Sequence, residues 1–272
     1  MKSLLCPICI NDAPYSFTSK HGKEVYSCPN DLCQHIFTKP LSHTQGICER
    51  DENILEESDR FLEIYGDRNK QLCELFFSFF PFHRQLIFLD YGSGNAHISR
   101  TIKEEKKELI LIYCLEINDK CKVIYDKYHL NYIESIRKLP SGIKPDLCYL
   151  VEVIEHLVDP ISALQEIKSC LPDGGKIFIT TPLGCLDEGS TNAFETPSHL
   201  HFFTKRSLSL CLRKAGFHNI RFEYFPELYP RKIISNPIIS TIRDLLITTK
   251  KFYINRITHN YQIKHLTCLI TK

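Results

Sequence analysis

The chain has 272 residues, enough for one large α/β domain with a small appendage. Its 34 basic and 32 acidic residues leave a formal net charge of +2, which excludes a global electrostatic argument for binding nucleic acid or an anionic membrane. Thirteen cysteines, an odd number spread through apolar segments, argue against a secreted disulfide framework. The N-terminal residues contain no signal-peptide core, and the most apolar stretch, residues 75–89, is interrupted by Pro81, His83 and Arg84. We therefore expect a cytoplasmic protein without a membrane span.

Residues 1–45 are rich in turns and carry two pairs of cysteines around a segment that is predicted to form a hairpin. Two residues separate Cys6 from Cys9, and four separate Cys28 from Cys33. Tetrahedral zinc needs four ligands, and thiolates on tight turns supply them, so the spacing predicts a structural zinc ribbon. The alternatives are four buried thiols without a metal, or redox chemistry at the first pair. A minidomain of this size has little room for a core of its own.

Residues 46–85 form a helical lead-in, and from residue 86 short apolar strands alternate with helices. This alternation predicts an α/β domain over residues 86–272, with a Rossmann-like, doubly wound sheet that is mostly parallel. The last two strands are expected to pair antiparallel at the sheet edge, with residues 226–264 between them as an insertion or lid. The predicted strands are 86–90, 109–116, 131–133, 146–151, 176–181, 219–225 and 266–271, and the predicted helices are 96–106, 119–128, 160–171 and 204–215.

The first strand of this domain ends in a glycine-rich turn. Asp90 is followed by Gly92 and Gly94, where backbone can approach a ligand that side chains would exclude. Glu116 ends the next strand, where a carboxylate can accept hydrogen bonds from ribose hydroxyls. His97 stands where a dinucleotide fingerprint needs a third glycine, which makes an NAD-dependent oxidoreductase the weakest interpretation.

The pattern Asp-x-Gly-x-Gly-x-Ala at this turn resembles the first motif of class I S-adenosylmethionine-dependent methyltransferases. Residues 146–160 and 171–182 look like the fourth-strand and fifth-strand regions of that family. Residues 199–217 are similar to a later segment of the branch that includes ubiquinone-pathway and sugar methyltransferases. The resemblance covers residues 86–225 and implies that the chain binds S-adenosylmethionine. One departure is Ala96, where many members have a third glycine.

Carried over to this sequence, the resemblance implies a set of cofactor-binding residues. It puts Glu116 on the ribose of S-adenosylmethionine and leaves Glu134 and Ser135 as alternatives for the adenine contact. The residues implied for the methionine portion are Asp90, Gly92, Ser93 and Gly94.

Carboxylates and histidines follow the fourth and fifth predicted strands, where they could serve as a general base or hold a divalent ion. The candidate catalytic residues are Glu152, Glu155, His156, His199 and His201. A similar Glu-x-x-Glu-His arrangement occurs in metal-dependent ubiquinone-pathway O-methyltransferases and in small-RNA 3′-end methyltransferases. In many other relatives without a known metal, the histidine shapes the cleft.

These features predict an enzyme that methylates an oxygen or nitrogen of a small molecule or glycan precursor. A first alternative is an RNA methyltransferase, favoured by the ribbon and by residues 226–272, which hold eight Lys/Arg against two Asp/Glu. The balanced overall charge disfavours it. A second alternative is a scaffold protein that keeps the cofactor site without catalysis, because the fold alone does not define an acceptor.

Overall fold

The computed structural model describes residues 2–19, 22–39, 54–80, 84–105, 109–184, 196, 198–223 and 265–272. The predicted insertion at 226–264 lies outside the described residues. The strands are β1 (Ser3–Leu5), β2 (Asp12–Thr18), β3 (Glu24–Ser27), β4 (Ile36–Thr38), β5 (Leu86–Tyr91), β6 (Ile110–Leu115), β7 (Asn131–Ile133), β8 (Leu147–Val151), β9 (Lys176–Pro182), β10 (His201–Phe202), β11 (Asn219–Glu223) and β12 (His265–Thr271). The helices are α1 (Ile54–Ser78), α2 (His97–Glu105), α3 (Lys122–Lys127), α4 (Pro160–Cys170) and α5 (Lys205–Lys214).

Seven strands form the larger sheet, in the order β11-β12-β9-β8-β5-β6-β7. The five strands from β7 to β9 in this order are parallel, and β12 pairs antiparallel with both β9 and β11. The sequence-based prediction of a mostly parallel, Rossmann-like sheet with an antiparallel end is therefore confirmed. Strand order reverses between β5 and β8, and open sheets of this type bind ligands at the carboxyl ends of the strands on either side of such a point.

Local sequence signals explain where the helices begin. The Asp159 carboxylate accepts a hydrogen bond from the Ser162 backbone, with Pro160 in the first turn of α4, as predicted. The single helix predicted over residues 119–128 is instead a 3₁₀ turn followed by α3. The reason is the Asn118 side chain, which accepts from the Lys120 backbone and tightens the first turn.

Five strands form the smaller sheet, in the order β1-β2-β3-β4-β10. The predicted hairpin is present as β2 and β3, which pair antiparallel. The fifth strand, β10, however, comes from the α/β part of the chain: His201 pairs with Phe37, and Phe202 with Ile36. The N-terminal segment is thus completed by a strand more than 160 residues away in sequence, which compensates for its small core.

Two buried apolar clusters lie on the two faces of the larger sheet. In one of them, the inward face of α1 packs Phe76 against Tyr149 and Phe178, with ring centroids 5.1 and 4.8 Å apart. Eleven described cysteines are free thiols, and most of those outside the N-terminal segment are buried as small apolar residues. In the described part of the chain, no helix is both long and apolar enough to cross a bilayer.

Candidate active site

The turn after β5 requires its glycines for two physical reasons. Gly92 and Gly94 have φ of +71° and +49°, in the left-handed region that favours glycine. A Cβ on Gly92 would also lie 2.7 Å from Cγ1 of Val153, which follows β8. Ala96 also has a positive φ, +53°, so its methyl group costs roughly 1 kcal/mol relative to glycine but is accommodated.

The Glu116 carboxylate organises this turn from the end of β6. Its Oε2 accepts from the Gly94 backbone and its Oε1 from the Asn118 backbone, at 2.8 and 2.9 Å. The residue is only partly buried, so its oxygens border the open edge of the sheet. Glu116 and the glycine-rich turn are therefore in direct contact, as a nucleoside-binding edge requires.

The side chains of Asp90, before the turn, and Ser93, within it, are hydrogen-bonded inside the protein. Asp90 Oδ2 accepts from Ser99 Oγ at 2.6 Å, and Ser93 Oγ lies 2.8 Å from the Tyr125 hydroxyl. Both residues are buried. Burial raises the pKa of Asp90 to about 7, although hydrogen bonds from Ser99 and Tyr149 favour its ionised form.

Asp90→Asn is expected to stabilise the ligand-free protein at pH 8 by a few kcal/mol more than at pH 5. An unfolded aspartate ionises near pH 3.8, whereas native Asp90 holds its proton up to about pH 7. Folding therefore binds a proton, and native stability falls as pH rises through this window. Thermal unfolding of both proteins at the two pH values measures the effect. An equal difference at pH 5 and pH 8 would contradict the raised pKa.

A compact cluster lies after β8: Glu155, His156 and His199 offer ligand atoms within 4.8 Å of one another. Glu155 is fully buried, and its Oε2 accepts from Thr181 Oγ1 at 2.9 Å. Its Oε1 has no hydrogen-bond partner among the described residues, and it lies 3.9 Å from His156 Nε2 and 4.0 Å from His199 Nε2. Burial, and then the charge of Glu152, raises the pKa of Glu155 well above its usual value.

The orientation of His156 identifies its free nitrogen. Nδ1 lies 3.1 Å from the Ser198 carbonyl oxygen, which can only accept, so Nδ1 carries the proton in the neutral ring. Nε2 then presents its lone pair to the space shared with Glu155 and His199. Burial lowers the pKa of His156, which favours this neutral form.

Glu152 forms a separate pair with the last strand. It has φ of +57°, a strained conformation for glutamate of the kind found at functional sites. Its Oε2 lies 3.2 Å from His265 Nε2, and its Oε1 accepts from Thr180 Oγ1 at 2.7 Å. Burial would raise the pKa of Glu152, but His265 and the charge of Arg68 lower it to about 2. The structure does not bring Glu152 into the histidine cluster.

His201 also lies apart from the cluster. Its Nε2 donates to the Leu157 carbonyl at 2.8 Å, and its Nδ1 lies 3.0 Å from His35 Nε2 in the N-terminal segment. Both ring nitrogens of His201 thus have partners, and the ring is buried. The ring therefore forms a contact between the two sheets, and a catalytic role for His201 stays a prediction.

The four N-terminal cysteines converge as their spacing predicted. All four Sγ atoms lie within 4.8 Å of one another, with Cys6 to Cys33 at 3.8 Å and Cys9 to Cys28 at 3.3 Å. Ligands of tetrahedral zinc with bonds of ~2.3 Å lie roughly 3.8 Å apart, so the group fits that ion. Each knuckle ends in a residue of positive φ, Ile10 or Gln34, directly after its second cysteine.

The sequence alone did not identify several residues that touch these groups. Lys23, from the N-terminal sheet, donates to the His199 carbonyl oxygen at 3.1 Å. Thr181 holds Glu155, and Arg68 and His265 flank Glu152. The sequence offered one signal for these residues, the pair Thr180 and Thr181 near the end of β9, because side chains at the carboxyl ends of parallel strands line the ligand-binding edge.

A glycine-rich turn, a carboxylate on the adjacent strand and a reversal of strand order define a Rossmann-like protein with a nucleoside-binding edge. A methyltransferase-domain family model matches residues 62–221, more than half of the chain. The chain therefore belongs to the class I S-adenosylmethionine-dependent methyltransferases. No curated protein sequence matches it significantly.

Solved structures share this fold at low sequence identity. A SAM-dependent methyltransferase from Archaeoglobus fulgidus has 19% identity and a TM-score of 0.53, over 78% of this chain and 99% of that chain. A possible histamine N-methyltransferase from Thermotoga maritima has 17% identity and a TM-score of 0.51, over 80% and 95%. Human N-acetylserotonin methyltransferase in complex with SAM has 15% identity and a TM-score of 0.50, over 80% and 55%.

Proposed function

We propose that this enzyme transfers the methyl group of S-adenosylmethionine to an oxygen or nitrogen nucleophile of a small molecule or glycan precursor. The observation that carries the proposal is the cluster of Glu155, His156 and His199 beside the cofactor edge. The cofactor supplies an electrophilic methyl group on a sulfonium sulfur. The carbon–sulfur bond breaks as the new bond to the acceptor forms, and the acceptor loses a proton.

His156 Nε2 receives that proton. The contact from Nδ1 to the Ser198 carbonyl leaves Nε2 as the acceptor atom, and burial keeps the ring neutral at neutral pH. His199 packs edge-on against His156, with ring centroids 4.8 Å apart, and fixes the ring plane. Alignment of acceptor and cofactor, with water excluded, supplies much of the remaining rate enhancement.

The same cluster fits a divalent cation. Glu155 Oε1 is a buried carboxylate oxygen without a hydrogen bond from the described residues, and it faces two imidazole nitrogens. His156 also makes the outer contact to a carbonyl that metal-binding histidines commonly make. Glu155, His156 and His199 would hold the ion, which would lower the pKa of an acceptor hydroxyl.

On the cofactor side, Glu116 accepts hydrogen bonds from the ribose, and the backbone at Gly92 and Gly94 faces the methionine portion. The buried Asp90 and Ser93 side chains support the turn through their hydrogen bonds to Ser99 and Tyr125, and a direct contact of either with the methionine portion stays a prediction. This assigns the main contacts to the backbone of the turn and to Glu116.

The N-terminal segment is proposed to be a zinc ribbon that shapes the acceptor side of the cleft. Thr38 of β4 donates its N–H to the Leu200 carbonyl at 3.0 Å, and Leu200 in turn donates to the Glu155 carbonyl at 2.9 Å. Lys23 holds the His199 carbonyl. A closed four-thiolate site leaves no open position for a substrate, so this metal would be structural.

Glu116→Gln is expected to weaken binding of S-adenosylhomocysteine by roughly tenfold or more, because charge-assisted hydrogen bonds to the ribose are lost. Calorimetric titration measures the dissociation constants. Glu104→Gln, an exposed carboxylate on α2, is the matched control and should leave affinity unchanged. Unchanged affinity in Glu116→Gln would remove Glu116 from the site, and a wild-type protein that binds no S-adenosylhomocysteine would favour a scaffold.

The acceptor class is tested by S-adenosylhomocysteine release in the presence of phenolic, amine and sugar acceptors. Turnover with one of these supports the proposal. The RNA alternative is favoured by one observation, a groove between the second knuckle and α5 where Lys205, Arg206 and Arg213 outnumber one acidic residue, Asp31. Methylation of an RNA oligonucleotide, with an affinity that falls steeply with salt, would replace the small-molecule proposal.

A further inference from the structure

Asn69 is a buried amide on the inward face of α1. Its relative exposure is 0%, and neither its oxygen nor its nitrogen has a hydrogen-bond partner among the described residues. A buried amide without partners destabilises a protein, whereas an apolar side chain of similar size would not. A polar group kept at such a position is a candidate for binding a ligand.

The helix places Asn69 at the carboxyl edge of the sheet. Phe76 follows Asn69 by seven positions, two turns of helix, so both lie on one face of α1, about 10 Å apart along its axis. Phe76 packs on Tyr149, and about 10 Å further along β8 lies Glu152. The Arg68 guanidinium lies 3.5 Å from Glu152, which shows that α1 runs from Phe76 back to Asn69 in the same direction as β8 runs from Tyr149 to Glu152. Asn69 is therefore level with the ends of β5 and β8.

This position is on the methionine side of the proposed cofactor site. Glu116, proposed to bind the ribose, directly follows β6, which lies on the other side of β5 from β8. Nearer its N-terminus, α1 also touches the glycine-rich turn, because Ser58 Oγ donates to the Asn95 carbonyl at 2.9 Å. The α1 face that carries Asn69 thus covers the region that the amino-acid end of the cofactor would occupy.

We infer that Asn69 is a cofactor-binding residue that recognises the amino-acid end of S-adenosylmethionine, an inference that rests on the proposed function. An amide offers two donors and one acceptor oxygen, which match the carboxylate and ammonium groups of an amino acid. The neighbouring Arg68, whose guanidinium lies 3.5 Å from Glu152, adds further N–H donors that suit a carboxylate. Ligand binding would satisfy the amide, which has no partner among the residues that the structure describes.

The test is Asn69→Leu, studied with two ligands. S-adenosylhomocysteine contains the amino-acid end, and 5′-methylthioadenosine lacks it. The variant is expected to lose about tenfold or more in affinity for S-adenosylhomocysteine, to bind 5′-methylthioadenosine as the wild type does, and to have a higher Tm without ligand. A purely structural role would lower Tm and affect both ligands alike.

Asn69→Ala, which removes the amide without added bulk, should show the same loss for S-adenosylhomocysteine alone and excludes a steric cause. Asn131→Leu, on exposed Asn131 of β7, is the matched control and should change neither affinity. If both Asn69 variants keep the wild-type ratio of the two affinities, the inference is wrong although the proposed function stands. If the wild type binds neither ligand, the proposed function and the inference both fail.

Discussion

His156→Asn is expected to reduce kcat by roughly 10²- to 10⁴-fold while the affinity for S-adenosylhomocysteine stays nearly constant. The asparagine amide nitrogen can still donate to the Ser198 carbonyl in place of Nδ1, but the variant has no atom in place of Nε2. The loss therefore isolates the nitrogen that faces Glu155 and His199. Steady-state turnover with an identified acceptor, together with calorimetric titration, separates the two effects.

His129→Asn is the matched control for this variant. His129 is exposed and has φ of +51°, a conformation that asparagine adopts readily. Turnover of the control should equal that of the wild type. Full activity in His156→Asn would show that acceptor activation does not depend on Nε2, whether as a base or as a metal ligand.

Cys33→Ser is expected to remove about one zinc ion per chain, to unfold the N-terminal ribbon and to lower turnover severely. Zinc contributes folding energy directly in small domains of this type, on the order of 10 kcal/mol. Since β4 of the ribbon pairs with β10, loss of the ribbon also releases the segment that carries His199. Elemental analysis, limited proteolysis of residues 2–39 and an activity assay measure the three effects.

Cys170→Ser provides the control, because the Cys170 thiol donates to the Ile167 carbonyl and a serine hydroxyl can do the same. It should keep its zinc and its activity. Chelation of the wild type should reproduce the Cys33→Ser phenotype. A metal-free wild type whose ribbon resists protease as well as before would contradict the zinc proposal.

These predictions depend to different degrees on sequence and on structure. The glycine-rich turn, Glu116 at the end of the second parallel strand and the cap of α4 follow from short-range patterns. Such patterns reflect backbone sterics and hydrogen bonds within a few residues, so a single sequence contains them. The four-cysteine group follows from spacing in the same way, since each knuckle is a local turn.

The sequence predicted the five candidate catalytic residues as one set, but it did not predict that they lie in three separate places. Three of them form one cluster, whereas Glu152 pairs with His265 and His201 pairs with His35. The partners lie 113 and 166 residues away in the chain. No local period encodes contacts at such separations.

The sequence by itself determined the class of the protein, a class I methyltransferase, because the motifs of the nucleoside-binding edge are continuous in the chain. Only the tertiary structure decided that β10 pairs with β4 of the N-terminal segment and that Lys23 donates a hydrogen bond to the His199 carbonyl. It also decided that Asn69 is a buried amide without partners in the described part of the chain. The physical reason is that hydrogen-bond satisfaction and burial depend on how distant elements pack together, which local residue preferences do not specify.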